Sequence, residues 1–138
     1  MFRKILALLI VCFSVAFAQP LPPEKQKIAK DYMRCVYKYQ GIGAGWSSRQ
    51  YLGFKDNQKL TNAQKMLCYE MCQQVYANVQ KPIQYESLVP GLMDVVQYSF
   101  MSSCVNECLN EPKKFNSQQE AIRWVDVQTK KVCYPILK

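Results

Sequence analysis

Leu67-Cys68-Tyr69-Glu70-Met71-Cys72 sets two cysteines four residues apart, and Cys104-Val105-Asn106-Glu107-Cys108 repeats the spacing further along the chain. Four residues is about one helical turn, so each pair presents both sulfurs on one helix face. Two such helices packed antiparallel bring Cys68 opposite Cys108 and Cys72 opposite Cys104. The remaining cysteines, Cys35 and Cys133, then tie the first helix to the last. An interlocked set, Cys35–Cys72, Cys68–Cys108 and Cys104–Cys133, also joins different helices. Six cysteines permit many pairings, and spacing alone does not choose among them.

The seventh cysteine, Cys12, belongs to a different kind of segment. Arg3 and Lys4 precede an apolar run from Ile5 to Phe17, and Ala16-Phe17-Ala18 is a small-x-small cleavage pattern. Residues 1–18 therefore read as a signal peptide, with 19–138 as a single helical, disulfide-linked domain. An even number of mature cysteines on a secretory route predicts three disulfides in an extracellular protein. Without histidine, a zinc site would need cysteines alone, so no metal is expected.

Helical signals fill the mature chain. Pro23 and Glu24 suit a first turn, and Ile28, Tyr32, Cys35, Val36 and Tyr39 form an apolar stripe behind them. Gly41, Gly43 and Gly45 are expected to end that helix in a flexible loop, with Ser47 capping a short helix to Leu52 and Gly53 stopping it. Thr61 and Gln64 read as a capping box for a helix that ends at Lys81-Pro82. Pro90 is expected to open a helix reaching about Asn110, stopped by Pro112. Ser117 and Glu120 read as another capping box, opening a last helix from Gln118 to Cys133. Pro135 should leave Ile136 and Leu137 in an extended tail. No alternating run closed by a tight turn marks a strand. The fold class is all-α: a disulfide-stapled bundle of four main helices plus one or two short ones.

Residue types narrow the chemistry. The absence of histidine removes His-based triads, Cys-His pairs and histidine metal ligands. Glu70, Asp94, Glu107 and Glu120 are scattered, with nothing to pair two of them across a cleft at glycosidase spacing. Gly41-Ile42-Gly43-Ala44-Gly45 lacks the Lys-Ser/Thr and the preceding strand of a phosphate loop. No enzyme activity and no cofactor are expected. The formal charge is +8, but the basic residues are spread with no run beyond two, so nucleic acid is not an expected partner.

The chain resembles the insect odorant-binding proteins, the pheromone and general odorant carriers. The resemblance rests on the mature size, the helical reading, Cys35 in Asp31-Tyr32-Met33-Arg34-Cys35, the Cys68/Cys72 pair, and a last cysteine followed by the apolar Tyr134-Pro135-Ile136-Leu137. That family separates its last two cysteines by eight residues. Here Cys108 follows Cys104 by four, and Cys133 comes much later, so the family's interlocked pairing maps only if Cys104, Cys108 and Cys133 take the last three roles. The resemblance implies a carrier holding a small hydrophobic ligand, odorant-like, pheromone-like or lipid-like, in a cavity between helices. Tyr32, Met71, Val75, Leu92, Val96, Phe100, Trp124 and Val125 are the candidate lining. The alternative is a cationic secreted effector or toxin-like protein acting on a receptor or membrane, with Trp46, Arg49 and Tyr51 near the glycines as its contact.

Overall fold

The computed structural model describes residues 19–110 and 114–138; the signal-peptide expectation and the stop at Pro112 fall outside them. Four α-helices follow in order: α1 (Pro23–Leu52), α2 (Asn62–Asn78), α3 (Leu92–Asn110) and α4 (Gln118–Gln128). A 3₁₀ turn at Ile83–Tyr85 precedes α3. A π turn, Thr129–Cys133, and a 3₁₀ turn, Tyr134–Leu137, follow α4. No strand occurs among the described residues.

The largest departure from expectation is α1, which runs through all three glycines. Gly41 and Gly45 lie on the face packed against α3. A Cβ at Gly41 would stand 2.5 Å from the Phe100 carbonyl oxygen, and one at Gly45 would press still closer on that of Cys104. Glycine in a helix interior costs about 1 kcal/mol relative to alanine. Here that cost is offset by backbone contact at a distance no side chain would allow. Ser47, expected as a cap, is therefore interior to the helix. Gly53 does end it: at φ 73° it takes the left-handed conformation. The N–H groups of Gly53 and Phe54 donate to the carbonyls of Gln50 and Arg49, a Schellman motif.

The other helices begin close to where their side chains direct. Thr61 Oγ1 accepts from Gln64 N (3.2 Å) while Gln64 Oε1 accepts from Thr61 N (2.9 Å), the reciprocal bonds of a capping box. Gly91, at φ 86°, moves the start of α3 from Pro90 to Leu92. Glu86 caps that start, its carboxylate accepting from Gly91 N (2.9 Å) and Met93 N (2.8 Å). Ser117 caps α4 by accepting from Glu120 N, while Glu120 reaches back to Asn116 N, one residue beyond a capping box. The tail is not extended. Pro135 sits in the first turn of a 3₁₀ segment, where its missing N–H has no partner to lose.

Contacts set the helix directions. Lys30 approaches Gly91, Gly41 meets Phe100 and Gly45 meets Cys104, so α1 and α3 run parallel. Cys68–Cys108 and Cys72–Cys104 hold α2 antiparallel to α3. Cys35–Cys133 brings the end of the chain back to α1, so α4 also runs antiparallel to it. The pairing is thus the hairpin set, not the interlocked one that the resemblance implies. The core follows every fourth residue of α3: Leu92, Val96, Phe100, Cys104 and Cys108 are all buried. Tyr37, Cys72 and Val89 close around the upper part of that line, and Leu60 and Cys68 around its end. Arg49 is buried at 2% exposure and covers the α3 terminus. Its guanidinium donates to the carbonyls of Cys108 (2.6 Å), Leu109 (3.0 Å) and Lys55 (2.6 Å).

Candidate functional site

Two helices stand on α1 without packing on one another. α2 and α4 both rest against it, and no packed interface joins them among the described residues. The space between them is a cleft of about 540 Å³, partly open to solvent. Small-molecule sites run from about 300 to 1,000 Å³. The floor is α1, presenting Gln40, Gly43, Ala44, Ser47, Ser48 and Tyr51. One wall is Met71, Val75 and Val79 of α2, with Phe100 of α3 behind them. The other is Gln118, Ala121, Ile122 and Val125 of α4.

The floor exists because α1 is continuous. Gly43 lies on the opposite side of the helix from the α3 contact, and a Cβ there would stand 2.8 Å from a Val125 methyl. Gly43 and Ser47, like Ala44 and Ser48, are four apart, so small residues leave a trough along one helix face. Behind Phe100, Tyr76 packs at 5.3 Å between ring centroids, and Tyr37 donates from its hydroxyl to Gln80 O (2.7 Å). Burial pushes both phenols above their ordinary value of 10.0, with Tyr37 adding to the effect on Tyr76, so this layer stays neutral.

Four of the expected lining residues meet here: Met71, Val75, Phe100 and Val125. The other four are placed elsewhere. Leu92 and Val96 are sealed in the core at 1% and 0% exposure. Tyr32 packs on Tyr134, with ring centroids 6.4 Å apart. Trp124 packs edge-on to Tyr39 (5.7 Å) and against Phe115 (5.5 Å), in a cluster that also takes in Trp46. An apolar stripe reports that a face is buried, not what buries it. The expected lining lacks Val79, Gln118, Ala121 and Ile122 of the walls and the whole floor, because reading the glycines as a loop breaks the single helix face that forms that floor. The small residues at four-residue spacing were the available signal.

A second groove of about 430 Å³ lies on the outer side of α2 and α3. It carries Asp94 and the exposed Tyr98, and two disulfides cross-link the helices that form it. No group of three or more His, Cys, Asp or Glu side chains is arranged to hold a metal among the described residues. No described helix is long and apolar enough to cross a membrane. Three disulfides suit an oxidising, extracellular-type environment.

No protein-family model matches the chain, and neither a curated protein nor a solved structure shows significant similarity to it. The cleft is therefore read from its own chemistry. It offers apolar surface with a few hydroxyl and amide groups, and its serines have no histidine to activate them.

Proposed function

We propose that the protein is a secreted carrier that binds a small hydrophobic ligand in the cleft between α2 and α4. The observation that carries this reading is the 540 Å³ cleft walled by valines, methionine and phenylalanine. Its size and mixed lining match those of small-molecule sites. The leader-like N-terminus and the disulfides support secretion. The likeness to odorant-binding carriers suggested the ligand class, but the hairpin disulfide pairing differs from that family's, so the reading rests on the cleft and not on kinship.

The test is uptake of the neutral hydrocarbon probe diphenylhexatriene, whose fluorescence rises in an apolar site. Native mass spectrometry and organic extraction of protein from its own source accompany it. Saturable uptake at one probe per chain is expected. Val75→Trp, which fills the cleft, should weaken it about tenfold or more with the helical circular dichroism unchanged. Absence of uptake together with an empty native protein overturns the carrier.

A further inference from the structure

The cleft lining is distinctive for what it lacks. Charged residues make up 20% of the chain and its formal charge is +8. Yet among the described residues none of the side chains lining the cleft is Asp, Glu, Lys or Arg. A carboxylate or ammonium head group entering it gives up its water shell with no opposite charge to meet it. A hydroxyl, ester or amide head group gives up much less and finds neutral partners, with Ser47, Ser48 and Gln118 toward one end and Gln40 toward the other.

Ser48 adds a second, independent observation. It is 2% exposed and belongs to the cleft floor, and its buried Oγ has no hydrogen-bond partner among the described residues. A serine inside a helix ordinarily bonds back to the carbonyl one turn earlier; this one does not. A buried hydroxyl left without a partner destabilises the fold. The oxygen is closed off from solvent in this rotamer, and a change of χ1, with rotation of the O–H about Cβ–Oγ, is what a polar group at this end of the cleft would require of it; neither moves the backbone.

We propose that the cleft selects an uncharged amphiphile, an apolar chain or ring system bearing a hydroxyl, ester or amide head group. Ser48 hydrogen-bonds that head group, and matching carboxylates and amines are rejected. This rests on the carrier reading above and deepens it.

The test compares dodecan-1-ol, dodecanoate and dodecylammonium at pH 7 as competitors of diphenylhexatriene on the unmodified mature chain. Dodecanol is expected to displace the probe at concentrations about tenfold or more below either charged analogue. Ser48→Ala should weaken dodecanol about three- to tenfold while the affinity for the probe, which has no polar group, stays the same. Equal or tighter binding of either charged analogue overturns the proposal, as does a folded Ser48→Ala chain that binds dodecanol normally; the carrier itself survives both results, because the probe still binds. If the probe is not taken up at all, the carrier reading falls and this one with it. The head-group comparison needs no variant, so it decides even where Ser48→Ala does not fold.

Discussion

Gly41, Gly43 and Gly45 sit within one stretch of five residues and do different work. The first and third let α1 touch the α3 backbone, where a carbonyl oxygen cannot yield to a new methyl group. Gly43 faces a Val125 methyl, a side-chain atom with some freedom to shift. Substitution by alanine should separate them. Gly45→Ala is expected to destabilise the fold by about 1–3 kcal/mol through overpacking, despite the better helix propensity of alanine. Gly43→Ala should stay within about 1 kcal/mol of the unmodified chain, because the propensity gain opposes the crowding of Val125. Urea unfolding midpoints measure both, and equal losses at the two positions would sink the argument. Ser48 belongs to the same scale. With no partner for its Oγ among the described residues, Ser48→Ala should raise the melting temperature of the empty protein, by an amount corresponding to about 1 kcal/mol or more. None of this is visible in the residues alone. Glycine reads as a breaker because its intrinsic cost is local, whereas the contact that repays it lies some 60 positions away in the chain.

At the scale of the element, the helix ends were the most legible feature. Thr61 with Gln64, Ser117 and Gly53 act within a few residues of themselves, so their role follows from local chemistry. Glu86 escaped that reading because it reaches seven positions ahead, over Gly91, to Met93 N. The backbone N–H groups of Met93 and Gly91 hold its carboxyl below the usual glutamate value of 4.5, with Lys30 assisting. The folded value is the lower one, so the contribution of this cap is present above the unfolded value. It fades as pH falls through the folded one. Asp31, held down mainly by its bond to Lys27 and also by Arg34, adds to the same acid limb. Glu86→Gln should therefore lower stability near neutral pH and flatten its decline between about pH 5 and about pH 2. Thermal melts across that range check it, and parallel curves for the two proteins would rule the cap out as a source of acid sensitivity.

For the whole molecule, the three disulfides are unequal. Cys68–Cys108 and Cys72–Cys104 close nested loops on the same helix pair, with separations of 40 and 32 residues. Removing one leaves the other holding nearly the same ends together. Cys35–Cys133 spans 98 residues and is the one bridge that ties the α4 segment to the rest of the bundle. Cys35→Ser with Cys133→Ser is expected to cost about 3–5 kcal/mol, more than Cys68→Ser with Cys108→Ser. It should also speed amide hydrogen exchange across α4, since that wall of the cleft loses the disulfide that holds it to α1. A smaller cost than for the hairpin bridge, with α4 exchange unchanged, would count against this hierarchy. The sequence by itself determined the all-helical class and the caps at Thr61 and Ser117, because helical periodicity and capping depend on neighbours within a turn or two; it left the choice between the hairpin and interlocked cysteine pairings open. Only the tertiary structure decided that α1 is unbroken, that Cys35 meets Cys133, that Leu92 and Val96 lie in the core while Met71 and Val125 face a cleft, and that Ser48 is left without a partner. Those outcomes depend on which distant backbone comes close, and hydrophobic burial, being non-directional, does not name its partner in advance.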